Sequence, residues 1–75
     1  MKHWLLNHIA VKGLFDAGLL TIISDFRDES REVSPDVGLT IAPQYLTVQI
    51  GPEMFDVVHT DLAEQTWELR PVGCL

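Results

Sequence analysis

The stretch PEMFDVVHTDLAEQTWEL, residues 52–69, decides the fold of this 75-residue chain, and it supports two incompatible readings. Phe55, Val58, Leu62, Thr66 and Leu69 are separated by 3, 4, 4 and 3 positions, the spacing of one helical face. Pro52 then stands where the first turn of a helix tolerates proline. In the other reading MFDVVH (54–59) is a strand and TDLAEQ (60–65) a capped helical turn, with Asp61 and Glu64 at capping-box spacing. WELRPV (67–72) is then a last strand, in which Pro71 requires an edge position. Val57 and Val58 beside Phe55 favour the β reading, because β-branched and aromatic side chains suit a pleated surface.

The segments before it extend the β pattern. YLTVQI (45–50) places Leu46, Val48 and Ile50 on one face, and Gly51-Pro52 punctuates it. GLTIA (38–42) reads as another short strand, closed by Pro43-Gln44, and LLTIISDF (19–26) as a buried one. Residues 2–17 read as an amphipathic helix. Leu6, Ile9, Ala10, Gly13, Leu14 and Ala17 form one stripe, widened by Trp4, Leu5, Val11 and Phe15, and Gly18 is suited to follow the helix C-cap. The expected fold is α+β: an N-terminal amphipathic helix packed on a small antiparallel sheet of three to five strands, with a second helix over 52–69 as the alternative.

Between the helical and β patterns lies SDFRDESREVSPD (24–36), which holds five of the eleven carboxylates and two of the five basic residues. Were it helical, Asp25–Glu29, Arg27–Arg31 and Asp28–Glu32 would be like-charge neighbours four residues apart, each unfavourable by about 0.2–0.5 kcal/mol. Pro35 would stop the helix in any case. Residues 27–37 are therefore expected to form an exposed charged loop, and the stretch 24–36 as a whole carries a net charge of −3, half that of the chain.

Length allows one domain, residues 1–75. The apolar fraction of 47% is high for this size, so part of the apolar surface is available for contact with another chain. The net charge of −6 argues against direct nucleic-acid binding and against an anionic membrane, and suits a basic protein partner. The single cysteine, Cys74, excludes an internal disulfide. The opening MKHWLLNHIAVKGLF is interrupted by Asn7, His8 and Lys12 and lacks a signal-peptide core, so a cytoplasmic location is expected.

Chemistry-bearing residues are sparse. His3 and His8, five apart, would not share a helix face as metal ligands do, and no cysteine pair exists for zinc. The carboxylates of 25–36 lack the glycine of a calcium loop, and the glycines form no phosphate loop, so no metal and no cofactor are expected. His59-Thr60-Asp61 is read as a cap and not as a catalytic set.

The expectation is a non-enzymatic protein-binding module, in concrete form a small acidic inhibitor encoded by a phage or mobile element, anti-CRISPR-like in kind. It would act in the host cytoplasm on a larger, basic or nucleic-acid-binding protein. Asp25, Asp28, Glu29, Glu32 and Asp36 would supply charge complementarity, with Tyr45 and Trp67 as candidate anchors, although Trp67 suits the core better. The alternative is a homo-oligomeric structural or assembly subunit, a small virion or accessory protein, dimeric or larger, whose apolar strands pair between chains. A small enzyme using His59 or His8 across a dimer interface is the third class.

Overall fold

The structure, a computed structural model, describes residues 3–72 apart from the side chain of Asp28. It resolves the ambiguity of residues 52–69 in favour of strands. Glu53–Asp61 (β5) and Thr66–Pro71 (β6) form an antiparallel hairpin. The helical spacing fails because its members are split between environments: Phe55 and Leu69 are buried, while Val58 and Leu62 are exposed. Val58 is the extra residue of a bulge between Val57 and His59, which changes the side-chain alternation part-way along β5.

The chain runs β1 (Trp4–Asn7), α1 (His8–Asp16), β2 (Leu20–Ser24), β3 (Arg31–Val33), the one-turn helix α2 (Pro35–Gly38), β4 (Leu46–Ile50), β5 and β6. Single 3-10 turns occupy Phe26–Asp28 and Pro43–Tyr45. All six strands among the described residues join one antiparallel sheet in the order β1-β6-β5-β4-β2-β3. The fold is α+β, with a helix packed on an antiparallel sheet of more strands than the three to five expected. GLTIA is not one of them, since its first residue closes α2 and the rest leads through a turn to the next 3-10 segment.

The helix expected over residues 2–17 begins later, at His8. Asn7 is its N-cap, and its side-chain oxygen accepts from the backbone N–H of Ala10 at 2.8 Å. The bulky run ahead of the cap, Trp4 to Asn7, is drawn into an edge strand beside β6, with Trp4 opposite Leu69 and Leu6 opposite Trp67. Gly18 ends α1 as anticipated, at φ 77°. The N–H of Gly18 donates to Phe15 and that of Leu19 to Leu14, the paired bonds of a Schellman motif.

One face of the sheet carries the core. Leu20, Ile22, Leu46, Val48, Phe55, Val57, Trp67 and Leu69 point to it, and Val11 of α1 closes over them. Trp67 lies against Gly38 of α2 so closely that a Cβ built there would sit 2.7 Å from the indole ring. The opposite face is polar along its middle, where Asp56 of β5 pairs with Arg70 of β6 at 2.9 Å. Among the described residues no helix is long and apolar enough to cross a membrane.

Candidate functional site

The charged stretch grows out of the end of β2. Its expected loop, residues 27–37, proves to contain secondary structure: β3 pairs with β2 and α2 follows. The helix starts at Pro35 because Ser34 caps it, accepting from the N–H of Val37 at 3.3 Å, and because proline is pre-set for a first turn. The like-charge argument against a long helix holds, yet alternation of Arg31, Glu32 and Val33 across the sheet places Val33 on the core side. Only three residues are needed for an edge strand.

The structure separates the candidate residues into groups. Asp25, Glu29 and Glu32 are exposed, and their carboxylates have no hydrogen-bond or ion-pair partner among the described residues. Glu32 sits on the edge strand, opposite Ile23. Asp36 is exposed too, but it is engaged: its carboxylate accepts from His8 Nε2 at 2.8 Å and lies 3.7 Å from Lys12 Nζ. The hydrogen bond from His8, then the Lys12 charge, hold the Asp36 carboxyl below the usual carboxylate range. The side chain of Asp28 lies outside the described structure. Tyr45 is half-buried at the same end of the sheet. Trp67 is fully buried, so it belongs to the core and has no surface to offer a partner.

Inside this charged rim is a half-open pocket of about 590 Å³ between β2, β3, α2 and the two 3-10 turns. The arginines, not the carboxylates, dominate its charged lining: Arg27 and Arg31 face it together with Glu29. Arg27 adopts a left-handed backbone, φ 58° and ψ 41°, a conformation unfavourable by about 1–2 kcal/mol for a residue with a Cβ. That turn lays its guanidinium 5.2 Å from the centre of the Phe26 ring. Phe26 in turn meets Tyr45 edge to face, 5.1 Å between centroids at 84°. The 3-10 turn is fixed to the sheet by the Asp25 N–H, which donates to the Tyr45 carbonyl at 3.0 Å.

A second constellation lies beneath α1. His8, only 6% exposed, accepts at Nδ1 from the Trp67 indole N–H, 3.1 Å away. The two ring planes are parallel within 4°. An indole can only donate and an ionised Asp36 can only accept, so neutral His8 must carry its proton on Nε2. The result is a directed chain, Trp67 to His8 to Asp36. It has the carboxylate and imidazole of a hydrolytic triad, but the third position holds an indole where a nucleophile would stand. Both imidazole nitrogens are occupied in joining α1, α2 and β6. The other histidines are exposed: His3 bonds Glu68, and His59 flanks the β5 bulge. Asp61 accepts from the N–H groups of Ala63 and Glu64, which makes it the cap of the β5–β6 turn and not of a helix.

No set of three or more metal-ligating side chains is grouped among the described residues. These features define a small α+β domain with an acidic rim around a pocket lined by arginine and aromatic side chains. Comparison with protein-family models, curated proteins and solved structures gave no match.

Proposed function

We propose that the protein is a non-enzymatic binding module whose acidic rim engages a basic surface on a larger protein, one that itself binds nucleic acid. The observation that carries this reading is the clustering of three uncommitted carboxylates, Asp25, Glu29 and Glu32, in one short stretch. Elsewhere Asp56 is paired with Arg70, Glu68 with His3, and Asp61 caps a turn, while Asp16, Glu53 and Glu64, also without a side-chain partner among the described residues, each stand alone on a different element. The three free carboxylates are spread over a turn and an edge strand, an arrangement that presents negative charge at intervals, as a phosphate backbone does to the same partner. β3 adds an outer edge with no strand beyond it among the described residues, open to pairing with an extended segment. A small inhibitor encoded by a phage or mobile element fits this size and charge.

The test is capture from bacterial lysate with the wild-type protein and with an Asp25→Ser, Glu29→Ser, Glu32→Ser variant, followed by binding of the purified partner at rising salt. The expected result is one basic partner, lost by the variant, with an affinity that falls as salt rises. Equal capture by both baits sinks the acidic-rim reading.

A second reading, the homo-oligomeric structural subunit, is favoured by the other end of the sheet. There Leu5 on the β1 edge is 69% exposed and Ile9 at the start of α1 is 78% exposed. Light scattering at micromolar concentration separates the two: a monomer removes the assembly reading.

A further inference from the structure

The pocket behind the acidic rim has a chemistry opposite to the rim itself, and we infer that it is a binding site for a carboxylate carried on a flat apolar body. Its volume, about 590 Å³, falls within the range of roughly 300–1,000 Å³ typical of small-molecule sites. Ser24 is the residue that marks it as built to receive something. Ser24 is 3% exposed, yet its hydroxyl has no hydrogen-bond partner among the described residues. No fully occluded side-chain polar atom goes unpartnered in the described structure. The Ser24 hydroxyl must therefore open onto the pocket it lines.

Register places Arg31 directly across from Ser24, on the same face of the sheet. One buried hydroxyl and one guanidinium fork thus converge from neighbouring strands. Arg27 lines the same pocket, from its left-handed turn. Neither guanidinium has a carboxylate within ion-pair distance among the described residues, in the most acid-rich stretch of the chain. Two arginines against Glu29 leave a net positive lining, which matches a singly charged anion. A guanidinium fork recognises a planar carboxylate through two parallel N–H···O bonds.

The rest of the lining is apolar or aromatic. Phe26 and Tyr45 meet edge to face, and Val33 and Ile41 supply aliphatic wall. A hydrated inorganic anion would gain nothing from these surfaces, whereas an aryl or bulky alkyl group would bury against them. Such a carboxylate exists as a free small molecule or as the C-terminal residue of a peptide. The site shares only Glu29 with the acidic rim, because Asp25 and Glu32 do not line it.

The test is a titration of the full chain followed by amide NMR, with phenylacetate and N-acetylphenylalanine as the acids and their primary amides as neutral controls. Saturable shifts at Ser24, Arg27, Arg31 and Tyr45 are expected with an acid, with the matching amide at least tenfold weaker. The tighter of the two acids tells whether a free acid or a peptide end is the better source. Arg31→Gln and Ser24→Ala should each weaken the acid severalfold. Arg27→Gly, which suits the left-handed backbone and so preserves the turn, should do the same. The Trp67 indole N–H resonance reports that each variant is folded. Absence of binding by both acids, equal binding of acid and amide, or undiminished binding by the folded arginine variants would overturn the proposal.

Discussion

Replacing His8 by leucine tests the buried chain that joins the two helices to the sheet. Leucine matches the imidazole roughly in bulk, so packing changes little, but it has no acceptor. The Trp67 indole N–H, on a residue with 0% exposure, would be left without a partner. A buried donor so stranded costs about 1–3 kcal/mol. The second bond, to exposed Asp36, returns to water on mutation and adds little. The expected loss is therefore about 2 kcal/mol, which for a domain of this size lowers Tm by roughly 8–16 °C. His8→Asn supplies the control, because an amide oxygen can stand near the position of Nδ1 and accept from the indole; it should recover at least half the loss. Urea unfolding followed by fluorescence measures both. A double-mutant cycle with Trp67→Phe isolates the bond, since phenylalanine has no N–H to strand, and the two losses should fall short of additivity by about 1 kcal/mol or more. If His8→Leu changes stability by less than about 0.5 kcal/mol, or is additive with Trp67→Phe, the directed chain does not hold the core.

Gly38→Ala should destabilise by about 1–3 kcal/mol, because the new methyl would lie 2.7 Å from the Trp67 ring and the buried indole has no room to retreat; a denaturation midpoint equal to wild type would contradict this. Gln65→Gly should stabilise by up to about 1 kcal/mol, because Gln65 holds φ 56° in the β5–β6 turn, and an unchanged or lower Tm would show the turn to be unstrained. Asp36 has a folded-state pKa below its ordinary value of 3.8, so its contribution to stability is complete above that value and is lost as pH falls through the lowered one. Asp36→Asn should therefore flatten the loss of stability below about pH 4 in a urea series, and an acid limb identical to wild type would refute the assignment.

The strands were legible where burial and alternation agreed. LTVQI alternates cleanly because one face of β4 is core and the other open, and LTIIS reads as buried for the same reason. Residues 52–69 stayed ambiguous because the bulge at Val58 shifts the alternation, and a shifted alternation imitates a helical spacing. The Trp4–Asn7 strand was hidden by its own hydrophobicity. An edge strand with Leu5 outward and Leu6 inward is apolar on both sides, so it continues the stripe of the following helix, and only Asn7 as a cap marks the boundary. Ser34-Pro35 carried a similar start signal inside the charged stretch, overshadowed by the charges around it.

The candidate site was half legible. The charge density of residues 24–36 marks the end of the sheet at which the pocket lies. Composition could not tell which charges face outward: Ser24 and Arg31 become neighbours only through the pairing of β2 with β3, and Arg27 depends on an unusual backbone conformation. The link from His8 to Trp67 spans 59 positions, and no local pattern foreshadows it.

The placement of β6 has a consequence for how the molecule assembles. It is the last described strand, yet it lies inside the sheet, between β1 and β5, and brings the indole around which α1 and α2 gather. During synthesis, β1 has nothing to pair with until some sixty further residues have emerged, and the helices have no ring to close upon. A chain halted before residue 66 would hold strands β2 to β5 and an unclosed apolar face, a species for chaperones to shelter. Closure then links distant segments in one event, and the loop entropy of that step sets a folding time nearer milliseconds to seconds than microseconds.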